Sequence, residues 1–123
     1  MDRDQAIHSF WSSFGLKAYD ENTVPDNALA NNGGRYLTYT VINTGFNKPV
    51  LASASLWYRD TSWSAIAAKT QQISDALGEG GSLVAYDDGA LWVKRGSPFA
   101  QRMGDEDDTI RRVYINVELD YLS

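Results

Sequence analysis

The chain contains no cysteine, a single histidine and three prolines among its 123 residues. Without cysteine there can be no disulfide framework, no thiolate nucleophile and no Cys-ligated zinc or iron–sulfur centre. A lone His8 excludes histidine-rich metal sites. Uninterrupted apolar runs are only a few residues long, far short of a membrane span. The start, Met1-Asp2-Arg3-Asp4, has neither a positive n-region nor an apolar h-region, so no secretory signal is expected and synthesis and use fall in a cytoplasm. Positive charge is also scarce. Eleven Lys+Arg face sixteen Asp+Glu, a net charge of −5. A dedicated DNA or RNA binder carries the opposite sign, because phosphate neutralisation drives its affinity.

What remains is an ordinary globular composition, 43% apolar and 22% charged, with aromatics at 12% including four Trp and seven Tyr. The length suits one domain, 1–123, with a core large enough to need no staple. The acidic excess is uneven: residues 1–60 hold five basic and six acidic groups, and residues 61–123 hold six and ten. Much of that difference lies in Asp105-Glu106-Asp107-Asp108.

Periodicity predicts the elements. Ile7, Phe10, Trp11 and Phe14 form one stripe of a helix over 3–14, with Asp2 or Asp4 as cap and Gly15 as terminator. Leu16–Tyr19 reads as a short extended piece. Asp20–Arg35 is rich in turn formers and reads as a loop. Arg35–Asn43 and Pro49–Arg59 alternate as strands, joined by a hairpin loop at Thr44–Lys48. In the second of these, Trp57 falls on the more polar face. Asp60-Thr61-Ser62 is a capping cluster for a helix carrying Trp63, Ile66, Thr70, Ile73 and Leu77, closed by Gly78. Ser82–Tyr86 and Ala90–Arg95 flank Asp87-Asp88-Gly89, a hairpin signal. A long loop is expected over Gly96–Thr109. The last strand alternates through Val113, Ile115, Val117, Leu119 and Tyr121, which fixes its register. The sum is an α+β fold: a mainly antiparallel sheet of four to five strands with two helices packed on one face.

Chemistry is harder to find. Asp87-Asp88-Gly89 lacks the further ligands of an EF-hand loop and reads as a turn. His8 has no Ser or Cys motif to serve, and Gly78, Gly80 and Gly81 lack the Gly-Lys-Ser/Thr ending of a phosphate loop. No catalytic residue, cofactor or metal site is expected, and the chain reads as a non-enzyme. The acidic run, flanked by Arg102 and by Arg111-Arg112, leaves three readings open: a divalent-ion site, a solvated loop, or a contact in which arginines of a neighbouring protomer meet these carboxylates. The clearest signal is surplus. Trp57, Trp92, Tyr36, Tyr58, Tyr114 and Phe99 exceed what a sheet covered on one side can hide. Exposed aromatics beside arginines are the usual anchors of protein interfaces. Candidate interface residues are therefore Trp57, Arg59, Trp92, Phe99, Arg102, Asp105, Glu106, Asp107, Asp108, Arg111, Arg112 and Tyr114. Sheet edges offer a further place where neighbouring copies could add strands.

Four stretches carry a family resemblance: residues 14–25, Phe14-Gly15-Leu16-Lys17-Ala18-Tyr19 onward to Pro25; Ser55-Leu56-Trp57-Tyr58-Arg59; residues 90–103, from Ala90-Leu91-Trp92-Val93 through Pro98-Phe99 to Met103; and Ile110-Arg111-Arg112-Val113-Tyr114-Ile115-Asn116-Val117. With the order helix, strand pair, helix, hairpin and long terminal strand, the chain resembles the tail terminator proteins of long-tailed bacteriophages, some of which are called minor capsid or tail completion proteins. The resemblance implies a virion protein at the tail–neck junction, made in the host cytoplasm. It implies a ring, typically of six copies, that caps the tail tube, stops its polymerisation and joins it to the neck. Partners would be the chain itself, the tail tube protein and a neck or head-completion protein. DNA would only pass through the lumen, with no sequence-specific binding, and no membrane would be involved. Residues 92–103 and the acidic loop would supply the subunit or tube contacts. Two alternatives stay open: another neck component, such as a head-completion or stopper protein, and a small-molecule-binding α+β domain.

Overall fold

In the computed structural model, which describes residues 1–41, 50–87 and 89–122, the alternating C-terminal segment is the longest regular pairing surface of the chain. Strand β6 (Ile110–Leu122) buries Val113, Ile115, Val117 and Leu119 on one side. Six strands form one sheet in the order β1-β2-β3-β6-β5-β4. The others are β1 (Ala18–Asp20), β2 (Arg35–Val41), β3 (Val50–Arg59), β4 (Ser82–Tyr86) and β5 (Gly89–Met103). All pairings are antiparallel except that of β1 with β2. Helices α1 (Arg3–Ser12) and α3 (Ser64–Leu77) cover one face, and α2 (Ala28–Asn31) is a single turn.

The α+β class therefore holds, with a sheet of six strands rather than four to five. The additional strand is β1, the short extended piece of the sequence reading, whose parallel pairing cannot be anticipated locally. The expected loop at Asp20–Arg35 contains α2 and a 3-10 turn at Glu21–Thr23. The larger correction concerns Gly96–Thr109. Most of that segment is not loop: β5 runs on to Met103, interrupted by a bulge between Arg95 and Ala100 that contains Ser97-Pro98. Such a bulge tolerates proline, which has no N–H to donate, because the ladder is interrupted there. Gly96 belongs to the same irregularity. A Cβ on it would lie 2.8 Å from the Asn116 carbonyl oxygen, so only glycine lets β5 pass β6 so closely. The expected hairpin loop at Thr44–Lys48, and Asp88 of the Asp-Asp-Gly turn, lie outside the described residues.

The helices begin and end for local reasons. Asp2 caps α1 through Gln5 N, and the Gln5 side chain returns a bond to Asp2 N, a reciprocal capping box. Helix α1 ends at Ser12, two residues before the predicted Phe14, yet Phe14 still packs in the core. At α3 the predicted cluster acts one step upstream of a cap: Asp60 accepts from Ser62 N, and Ser62 Oγ accepts from Ser64 N. The core joins Ile7, Phe10, Trp11 and Phe14 to Ile66, Ile73 and Leu77 over the inward residues of the sheet. Tyr58, counted in the aromatic surplus, is 1% exposed and belongs to this core.

Candidate assembly surface

Alternation along the central strands forces every second side chain away from the helices. Among the described residues the two long helices leave that second face open, with Asn32 at the end of α2 reaching only its margin at Tyr19 Oη (2.8 Å), and the strand registers assemble it into rungs. Tyr36, Trp57 and Arg112 oppose one another across β2, β3 and β6. Thr38, Ser55 and Tyr114 make the next rung, and Thr40, Ser53 and Asn116 the one beyond.

The first rung is an aromatic ladder. Tyr36 and Trp57 stack with centroids 6.0 Å apart and planes 8° from parallel, and Tyr19 meets Tyr36 edge-on at 5.9 Å. The Arg112 guanidinium lies 4.5 Å from the Trp57 ring centre. Hydroxyls tie the rungs together. Trp57 Nε1 donates to Thr38 Oγ1 (3.0 Å), Arg112 donates from Nε and Nη2 to Ser55 Oγ (3.2 and 3.0 Å), and Thr40 and Ser53 share a bond of 2.7 Å. Farther along the face, Lys94 pairs with Asp120 at 2.8 Å. Among the described residues, Arg112 and Lys94 on this face are thus engaged by neighbours within the chain. A shallow concavity of about 210 Å³, lined by Thr38, Thr40, Ser53, Ser55 and Tyr114, lies beside it.

At the end of the sheet nearest this ladder, the acidic run forms the turn between β5 and β6. Asp107 accepts from Thr109 N and Oγ1, and its other oxygen lies 3.6 Å from Arg59 Nη1. Arg59 also donates to Thr109 Oγ1. Arg111 donates to the Asp108 and Thr61 carbonyls, while its Nε has no acceptor among the described residues. That guanidinium lies 5.4 Å from the Trp63 ring centre, and Arg102 lies 4.7 Å from the same ring. The result is an exposed patch of carboxylates bordered by arginines already fixed in place.

The structure therefore brings Trp57, Arg112 and Tyr114 onto one face, with Arg59, Asp105, Glu106, Asp107 and Asp108 at its end. Three of the predicted residues stand apart. Phe99 turns inward against the core, and Arg102 and Arg111 both pack on Trp63 on the helix side. Trp92 lies on the open face but distant from the ladder, its Nε1 donating to Gly80 O at 2.7 Å. Thr38, Ser55 and Tyr19 were not singled out in the sequence. Only the pairing of strands widely separated in sequence reveals them. His8 is exposed on α1 and meets Tyr39 Oη at 3.1 Å.

Burial raises the phenols of Tyr36, Tyr39, Tyr58 and Tyr121 above the ordinary value, with Arg112, Arg35 and Arg3 pulling back at Tyr36, Tyr58 and Tyr121. A raised folded value for an acid favours the neutral form. The stability involved is fully present below the unfolded value of about 10 and is lost as pH rises through the higher folded values. In an alkaline titration followed by phenolate absorbance, the change from these four of the seven tyrosines should arrive late and together with unfolding. A single smooth transition at the ordinary value would contradict their burial. Asp107 behaves oppositely: hydrogen bonds from Thr109 first, then Arg59, hold its carboxyl below the usual range.

No family model matches the chain, and no curated protein matches it. Among solved structures, the chain is similar to one in the virion of a native gene transfer agent particle. The match has a TM-score of 0.59 at 18% identity, and covers 98% of this chain and 91% of that one. The two share a fold over essentially their whole lengths.

Proposed function

We propose that this chain is a structural virion protein that forms a ring of six copies, caps a phage-like tail tube, stops its polymerisation and joins the tail to the neck. The observation that carries the reading is the end-to-end likeness to a chain of a gene transfer agent virion. A match spanning both chains relates whole domains rather than a shared motif. Two features of the surface support it. The aromatic–arginine ladder is pre-ordered and partly exposed, as an interface anchor must be. Among the described residues, two cations of the open face, Arg112 and Lys94, are engaged within the chain. A channel wall of that kind would not trap the phosphates of passing DNA. In this reading the chain is a building block rather than an enzyme.

The acidic turn supplies the test. Asp107 holds the turn together, so its replacement would confuse structure with contact. Glu106 and Asp108 are exposed, and their side chains make no hydrogen bond among the described residues. The double substitution Glu106→Lys and Asp108→Lys should leave the melting temperature within a few degrees of the parent. It should weaken ring formation, or joining of tails to heads in a complementation assay, by about tenfold or more. Intact assembly in that variant would remove the turn from the contact. Labelled protein seen at the portal side of the neck by electron microscopy would instead identify a head-completion component.

A further inference from the structure

The two edges of the sheet are unequal. Edge strand β1 is three residues long, with Lys17 and Asp20–Glu21 at its ends, and Asp20 turns back to cap Asn22 N. Short length and flanking charge are the ordinary protections of an edge. Strand β4, Ser82-Leu83-Val84-Ala85-Tyr86, has none of them: no charge, no proline and no bulge in its pairing with β5. Leu83 is 64% exposed on it.

The backbone states what would cover this edge. Tyr86 pairs with Gly89 as the closing pair of the hairpin, so Tyr86, Val84 and Ser82 direct their amides and carbonyls toward β5. By the period of two, Leu83 and Ala85 direct theirs outward. Asp87 fits the same alternation, its outward N–H donating to the Met1 carbonyl at 2.7 Å. Among the described residues nothing else reaches this edge. Two donors and two acceptors are left, from Leu83 and Ala85, and that set is self-complementary about Val84.

We infer that β4 pairs antiparallel with β4 of a second copy across a two-fold axis at Val84, joining the two sheets. Leu83 then exchanges both backbone bonds with Ala85 of the second copy, and the reverse pair is formed by symmetry. Val84 faces its own counterpart as a non-bonded pair. The strand carries no charge, so the two-fold brings no like charges together within it. Asp87 falls opposite Gly81 of the second copy, one residue before β4 begins.

An isologous contact cannot propagate a head-to-tail ring, so this pairing neither rests on the proposed ring nor replaces it. Its small size makes it weak. A strand pair of this length buries well below the roughly 1,000 Å² of a stable interface, which places its dissociation constant in the range of about 10 μM to 1 mM.

The test uses the absence of cysteine. Val84→Cys places two thiols at the axis, and a non-bonded antiparallel pair has a Cα separation of about 4.5 Å, within disulfide range. Under mild oxidation Val84→Cys should cross-link at least tenfold faster than the exposed control Gln72→Cys. The parent should rise from one chain toward two in sedimentation as its concentration increases toward about 1 mM. Leu83→Lys, on an exposed side chain, should abolish both behaviours without changing the melting temperature. Cross-linking no faster than the control, a parent that stays a single chain, or a dimer that survives Leu83→Lys would each overturn the pairing. Ring assembly is read separately by the acidic-turn variant.

Discussion

Replacing Trp57 by alanine is expected to yield a folded chain that no longer assembles. The indole is the centre of the open-face ladder: it stacks on Tyr36, carries the Arg112 guanidinium and donates to Thr38. Removing it costs the fold little core, because the ring lies on the face away from the helices. It does orphan the Thr38 hydroxyl, which is 4% exposed, and a loss of about 1–2 kcal/mol follows. The effect on association is larger. Truncating an aromatic anchor of an interface costs about 2 kcal/mol or more per contact, about 30-fold in affinity, and a closed ring repeats that loss at every subunit boundary. Trp57→Phe keeps the stack but not the hydrogen bond and should recover much of the assembly. Urea melts beside a ring-formation assay separate the two effects. A Trp57→Ala chain that assembles normally would remove the ladder from the contact.

The second large effect belongs to the core. Trp11 is 1% exposed, with Phe10 edge-on at 4.9 Å and Phe14 tilted against it at 6.4 Å. Nothing near it is flexible enough to close the void, since α1 is held by its capping box and by the sheet beneath. Trp11→Ala should therefore cost about 3–5 kcal/mol in urea unfolding. A domain of this length has a total stability of about 6–18 kcal/mol, so the loss is a large share of the whole. A cost below about 1 kcal/mol would mean that α1 does not pack as described.

Which parts of this molecule could be read from sequence follows from how local their causes are. The alternation of β6, the stripe of α3, the Asp2 cap of α1 and the Gly78 end of α3 are written within each segment, and they appear where expected. Gly96-Ser97-Pro98 has the composition of a turn, so the sequence predicts a strand that stops at Arg95. The structure uses those residues as a bulge, and the ladder with β6 resumes at Ala100. The parallel partner of β1 depends on β2, with paired residues nineteen positions apart, as Ala18 and Leu37 are, and has no local signature. The surface shows the same division. Alternation alone placed Trp57, Arg112 and Tyr114 away from the helices. That Trp57 and Arg112 should touch, or that Arg102 should turn to Trp63 instead, depends on registers between distant strands. Phe99 read as surplus because its segment read as loop. Once it lies in a bulged strand, it has a core to pack against.

The central claim is that this chain acts as one subunit of a closed assembly on a tail tube, and native mass spectrometry of the full chain tests it most directly. With tail-tube protein added, the account predicts a closed species of six 13.7 kDa chains, bound to the tube protein and lost in the Trp57→Ala variant. A chain that remains at the mass of one or two copies whether or not the tube protein is present, while binding a small molecule saturably, would contradict it.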